Sequence, residues 1–250
     1  MNAWSAVAPA RVVPSDGLVV DGIIKNFGGR RAVDGLTFAL ARGTVLGLLG
    51  PNGAGKTTSL LCLCGLMRPD GGTISLAGER LGADRGHAIS LIPETPEVYP
   101  MLTVWEHLAF VAASARLATG WEARGDELLE RFGIAGERDA LGHALSKGMR
   151  QKTLIAATVL ADAPVLLLDE PMIGLDPRGQ RELRELLRDL ARGGTTIVVS
   201  THLIESAELL CDRIAILKAG RMIAEGAITD LRAADNRGLT LEELFLDITA

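Results

Sequence analysis

The sequence predicts an α/β protein: a parallel sheet covered by helices on both faces, an added antiparallel β layer and a helical insertion. Three observations carry that expectation. Short continuous apolar runs, such as 45–49 and 165–168, are separated by amphipathic stretches, the pattern of parallel strands buried on both sides. Earlier strand-like runs at 18–20, 36–38 and 73–76 have turns between them, which suggests an antiparallel layer before the main sheet. Between Pro93 and Asp162 no convincing strand occurs, yet five of the nine aromatic residues (Tyr99, Trp105, Phe110, Trp121, Phe132) fall there. That concentration marks a separate packing unit.

In chain order, strands are expected at 18–20, 36–38 and 45–49, then a helix over 57–67 and strands at 73–76 and 89–92. The insertion supplies helices over 104–118, 121–132 and 146–160. A strand at 165–168, a helix over 178–191 opened by Pro177, a strand at 197–200, a helix over 203–210 and strands at 214–217 and 221–224 follow. The domain reading is therefore an N-terminal extension over 1–16, a core over 17–93 and 163–225, a helical subdomain over 94–162, and a helical tail over 226–250.

With 250 residues, 48% of them apolar and 23% charged, the chain is that of a folded protein with one large core and a subdomain. A net charge of −5 argues against a general nucleic-acid binder. No apolar stretch approaches the roughly 20 residues that cross a bilayer. Residues 1–16 are rich in Ala, Pro and Ser without a continuous apolar segment, so no secretory signal is expected. Cys62, Cys64 and Cys211 read as small core residues rather than a metal site.

The chemistry begins at residues 50–58, Gly-Pro-Asn-Gly-Ala-Gly-Lys-Thr-Thr, directly after the apolar run 45–49. Glycines let the backbone turn so that N–H groups converge on an anion, and the following helix points its partly positive end at the same place. Lys56 adds a full charge, and Thr57 a hydroxyl suited to Mg²⁺. This is a phosphate-binding loop, hence a P-loop NTPase core. The run 165–171, Val-Leu-Leu-Leu-Asp-Glu-Pro, is a buried strand ending in two acids. Beside a phosphate loop, Asp169 suits Mg²⁺ and Glu170 suits the attacking water, although a strand-end acid can also cap the next helix. Asp176 reads equally as an N-cap, and so does Ser146 at the start of the last insertion helix. His202, at the end of the strand 197–200, can reach a terminal phosphate or be structural.

The order of these motifs resembles the ATP-binding subunit of ATP-binding-cassette (ABC) transporters from about Leu18 to Ala250. In that family two cassettes sandwich two ATP molecules head to tail. The resemblance implies that Gly50, Asn52, Gly53, Ala54, Gly55, Lys56, Thr57 and Thr58 form the ATP-binding loop, with Thr57 and Asp169 on Mg²⁺. Phe27 falls where the family stacks an aromatic on adenine; a core position is its other reading. Ser146, Gly148 and Asp176 would meet the ATP held by a second cassette, Glu170 would be the catalytic base, and His202 would contact the γ-phosphate.

Two positions depart from the family pattern. The signature segment reads Leu-Ser-Lys-Gly-Met at 145–149, with Lys147 and Met149 in place of the usual Gly and Gln. Glu94 stands where Gln is usual, as a coupling-loop residue and a weaker candidate for the metal. Both departures, and the tail segment 239–246, resemble the ATPases that serve export-type (ABC-2) permeases. The implied protein is a cytoplasmic ATPase, peripheral at the inner face of the membrane, that powers a separate multi-span permease through ATP-driven dimerisation. The permease would be met through the region from Glu94 to Trp105; Tyr99 and Trp105 can instead close the subdomain's own core. A soluble ABC-type ATPase of DNA repair or translation would need a coiled-coil insertion, a second cassette or a basic surface, and the sequence has none of these. No nucleic acid is expected as a partner.

Overall fold

A computed structural model describes residues 16–230 together with Glu243 and Phe245. The chain opens with β1 (Leu18–Phe27), β2 (Arg30–Leu40) and β3 (Val45–Leu49), then α1 (Lys56–Cys64), β4 (Gly71–Leu76), β5 (Glu79–Arg80) and β6 (Ile89–Ile92). Three helices follow without a strand between them: α2 (Val104–Ser114), α3 (Trp121–Arg131) and α4 (Lys147–Leu160). The remaining elements are β7 (Val165–Asp169), α5 (Pro177–Arg192), β8 (Thr196–Thr201), α6 (Ile204–Leu210), β9 (Arg213–Lys218) and β10 (Arg221–Ala227).

Among the described residues two sheets form, one antiparallel in the order β2-β1-β4-β5 and one of six strands in the order β10-β9-β3-β8-β7-β6. In the larger sheet β9, β3, β8, β7 and β6 run parallel and β10 closes one edge antiparallel. This is the α/β architecture the sequence predicts. Side-chain alternation explains why it is a middle layer. Leu46 and Leu48 of β3, Val165 and Leu167 of β7 and Val198 of β8 join α1 and the antiparallel sheet in one apolar cluster. Their alternates Val45, Leu49, Leu166, Leu168, Ile197 and Val199 join α4, α5 and α6 in the other. Gly47 is the exception on that second face. A Cβ there would lie 3.0 Å from Cys211 Sγ and 3.3 Å from Ile214 Cγ2, so the missing side chain admits the end of α6.

β1 and β2 extend well beyond the tripeptides visible in the sequence. Their outer ends, around Lys25–Phe27 and Arg30–Arg31, lack buried apolar side chains, and they are strand because they pair with each other. β10 runs to Ala227, so residues 226 and 227, assigned above to a helical tail, are strand; they pair with Ile214 and Arg213 of β9. All of the expected extension over 1–16 except Asp16, and most of the tail, lie outside the described residues, although Phe245 packs against the larger apolar cluster.

The segment between β6 and β7 contains an isolated bridge, Thr103–Leu141, and otherwise helices and turns. α2 starts with a reciprocal cap. Thr103 Oγ1 accepts from Glu106 N–H, while Glu106 Oε2 accepts from Thr103 N–H. α5 starts with Asp176 as N-cap and Pro177 in its first turn, and it buries Leu183, Leu186 and Leu187 at helical spacing.

Candidate active site

Parallel strands end together, so the loops after β3, β7 and β8 meet at one edge of the sheet. The loop after β3 is the segment 50–55. Gly55 has φ +104°, and a Cβ there would collide with Ala32 O, so only glycine lets the loop pass under β2. Ala54 O also accepts from Gly220 N–H at 2.9 Å, tying the loop to the β9–β10 turn. No side chain caps α1, and its first turn holds no acid. Its leading N–H groups have no intrahelical acceptor and face outward as an anion site.

Lys56 is buried. Its ammonium donates to Gly50 O at 2.7 Å and lies 3.8 Å from Glu170 Oε1. Glu170 stands just past β7 with φ +47°, an uncommon conformation for a side chain of this size, and its carboxylate is shared. The same Oε1 is 2.9 Å from His202 Nδ1, beyond the end of β8. Ser200 organises the pair of acids. Its hydroxyl donates to Asp169 Oδ1 and accepts from Glu170 N–H at 3.2 Å, while Ser200 O accepts from the same N–H at 3.1 Å.

These groups open into a cavity of about 440 Å³. Asn52, Gly53, Ala54, Gly55, Lys56, Thr57 and Thr58 line it from the loop and α1. Asp169 and Glu170 line it from β7, His202 from beyond β8, Glu94 from the loop after β6, and Phe27 from the end of β1. Gly50 is not in the wall but beneath it, holding Lys56 through its carbonyl. Phe27 is about half exposed and is not a core residue. Arg30, Ala32, Ile173 and, one layer back, Ser200 were missed by motif reading. For Arg30 the only sequence signal is its place two glycines after Phe27.

Ser146, Gly148 and Asp176 are not in this cavity. Ser146 caps α4, its hydroxyl accepting from Met149 N–H at 3.2 Å, and Asp176 caps α5, accepting from Gly179 N–H at 3.1 Å. They are neighbours of another kind. A Cβ on Gly148 would lie 3.1 Å from Gly174 O, and Lys152 Nζ is 3.7 Å from Asp176 Oδ1, so the start of α4 packs on the loop before α5.

The wall fits a phosphate polyanion accompanied by a divalent cation. Three carboxylates (Glu94, Asp169, Glu170) face two permanent cations (Arg30, Lys56), leaving one excess negative charge. Among the described residues no group of three or more His, Cys, Asp or Glu is placed to enclose a metal alone. Mg²⁺ is suited by such a site, since it takes one or two carboxylates and fills its remaining positions with phosphate oxygens and water.

The stretch after Glu94 divides in two. Tyr99, Met101 and Phe110 are exposed, with Tyr99 and Phe110 edge to face at 5.5 Å. Trp105 turns inward, stacking on Trp121 at 5.1 Å beneath the Arg138 guanidinium. His107 anchors the loop: its Nδ1–H donates to Thr103 O at 2.7 Å and its Nε2 accepts from Tyr99 N–H at 2.8 Å.

A phosphate loop on a parallel sheet, with paired acids at the end of a strand two places along, defines a nucleoside triphosphatase. The particular kind follows from comparison with known proteins. The family described as "ABC transporter" matches residues 33–173. The chain is 41% identical over 220 residues to the daunorubicin resistance ATP-binding protein DrrA3 of Streptomyces coeruleorubidus, covering 86% of this chain and 70% of that protein. It is 42% identical over 210 residues to the Nod factor export ATP-binding protein I of Burkholderia lata, covering 81% and 68%. A solved ATP-binding subunit of an ABC transporter superposes with a TM-score of 0.88 at 35% identity, over 94% of this chain and 100% of that one. The chain belongs to the ABC transporter family, as an ATP-binding subunit with ATPase activity. Such subunits pair as cassettes and work with a membrane permease.

Proposed function

We propose that this chain hydrolyses MgATP at a site completed by a second cassette, and that the resulting opening and closing drives a separate export permease. The observation that supports this most is the division of the candidate residues. Phe27, Lys56, Thr57, Asp169, Glu170 and His202 line one cavity, while Ser146, Gly148 and Asp176 lie elsewhere, together at the starts of α4 and α5. Half of a composite site and the complement for another chain's half are what head-to-tail pairing requires.

In this reading the N–H groups of residues 53–58 and Lys56 hold the phosphates, and Phe27 offers its ring to the adenine. Thr57 and Asp169 would hold Mg²⁺, with Glu94 as a further oxygen, and the ion would neutralise charge on the phosphate oxygens. Glu170 orients the attacking water and takes its proton. Its backbone N–H is held by Ser200, and its carboxylate is shared with Lys56 and His202. Hydrolysis of this kind is mostly positioning and charge stabilisation.

Export is supported by the two relatives named above, one named for drug resistance and one for Nod factor export. The exposed Tyr99, Met101 and Phe110 suit a permease contact, since aromatic and Met residues are enriched at such interfaces. Trp105 does not belong to that surface. Among the described residues no helix is long and apolar enough to cross a membrane. A peripheral position at the inner face of the membrane follows from the permease partnership.

The test is Glu170→Gln. Steady-state ATPase should fall by roughly 10² to 10⁴-fold, the range for loss of a general base, and MgATP should trap a dimer on size exclusion. Wild-type turnover in that variant would remove Glu170 from the role of base.

A further inference from the structure

We infer that Arg30 is a further nucleotide-binding residue, its guanidinium meeting a phosphate of the bound nucleotide beside the loop at Gly53. The inference rests on the reading of the cavity as a nucleotide site. Its starting point is the β1–β2 turn. Gly28 and Gly29 have φ +51° and +86°, the two positive values of a tight two-residue hairpin. Such a turn sets its flanking residues directly opposite each other, and Phe27 and Arg30 are cross-strand partners. The aromatic and the guanidinium are therefore delivered to the same mouth by one piece of local geometry.

Strand alternation then separates Arg30 from Arg31. Arg30 and Ala32 line the cavity and Arg31 does not. Arg31 is ion-paired with Asp34 at 2.5 Å, and Asp34 also receives Arg221 at 2.6 Å. Lys25, near the Phe27 ring, is engaged by Asp70 at 3.2 Å and Arg68 O at 2.8 Å. Lys56 faces Glu170 and the Gly50 carbonyl. Among the described residues Arg30 has no acid paired with it. It is the cation of this wall with no partner of its own, and one nitrogen, Nη2, lies 4.0 Å from where a Cβ on Gly53 would stand.

Charge decides the ligand. Three carboxylates already line the cavity, so a guanidinium left unpaired there offsets their field and favours an incoming anion. Its planar fork suits phosphate oxygens better than a point charge does. Placed between Phe27 and Gly53, it addresses the phosphate nearer the ribose, which ADP and ATP share. Lys56 is left to the outer phosphates.

The experiment compares wild type, Arg30→Ala, Arg30→Lys and Arg31→Ala, titrated with a fluorescent ATP analogue in Mg²⁺ and competed with ATP, ADP and adenosine. Arg30→Ala should weaken ATP and ADP by about tenfold, the scale of one charge-assisted hydrogen bond, and leave adenosine unchanged. Arg30→Lys should recover part of the loss, and Arg31→Ala should bind as wild type. Equal ATP affinity in Arg30→Ala and wild type would overturn the proposal, as would a loss that adenosine shares. A wild-type chain that binds no nucleotide would instead overturn the functional reading beneath it. Arg30 is exposed, and an unchanged melting temperature without nucleotide separates binding from folding.

Discussion

Glu170 and Ser200 show how one position can be costly and still be kept. A left-handed backbone at a glutamate carries strain of the order of 1–3 kcal/mol, and it persists because Ser200 holds its N–H twice, through Oγ and O. The same hydroxyl donates to Asp169, so one uncharged, fully buried side chain orients both acids. Replacing Ser200 by Ala should destabilise the fold by about 1–3 kcal/mol, the cost of leaving buried polar groups short of a partner. It should also lower ATPase turnover while nucleotide affinity stays close to wild type. Urea denaturation and steady-state turnover check the two effects; unchanged turnover would deny Ser200 a positioning role. The acids were legible as residues, because two carboxylates after an apolar run beside a phosphate loop form a local pattern. Ser200 was not. It looks like an ordinary strand residue until the β7–β8 register sets it opposite Asp169.

At the scale of elements, the two sheets are joined beside the phosphate loop where β2 meets the turn of the β9–β10 hairpin. Asp34 N–H donates to Gly220 O at 2.8 Å, and the Asp34 carboxylate accepts from Arg221 and Arg31. The Arg221 guanidinium, with Arg31 second, holds this carboxyl below its ordinary 3.8. A lowered folded value means that the stabilisation is present above 3.8 and is lost as pH falls through the lowered value. Asp34→Asn should therefore be less stable than wild type at pH 7, and the gap should close below about pH 4. Denaturation midpoints measured across that range test it, and a gap independent of pH would mean that the charge contributes nothing. The hairpin was only partly legible in the sequence. Apolar runs identify the middle of a buried strand, whereas the outer ends of β1 and β2 lack buried apolar side chains and are held by pairing and turn geometry. The insertion helices were more legible, because helical periodicity needs no partner elsewhere in the chain.

For the whole molecule, the two apolar clusters on either face of the larger sheet enclose all three thiols. Burial pushes Cys62 to about 11 and Cys211 to about 12, and it raises Cys64 as well, against an ordinary 9.0. Raised values mean that the thiols stay protonated in the folded chain while the unfolded chain titrates near 9. Their contribution to stability is complete below pH 9 and is lost as pH rises toward 11 to 12. Wild type should thus lose stability between pH 9 and 11 more steeply than a variant with all three cysteines changed to Ala. Guanidinium denaturation at stepped pH measures the difference, and parallel curves would refute it. Reaction with iodoacetamide at pH 7.5 should be slow until the chain is unfolded.

The sequence by itself determined whatever needs only neighbours along the chain. The phosphate loop, the acids that end β7 and the continuous apolar runs that make the larger sheet a middle layer all lie within segments of ten residues or fewer, where backbone geometry and side-chain chemistry act directly. Tertiary structure decided what depends on pairing across long separations. It set Arg30 opposite Phe27 and beside Gly53, put Ser200 opposite Asp169, turned Trp105 inward while leaving Tyr99 outside, and kept Ser146, Gly148 and Asp176 out of the cavity. The physical reason is that strand register and helix packing are settled by burying two apolar faces at once, and a single segment carries only its own half of that agreement.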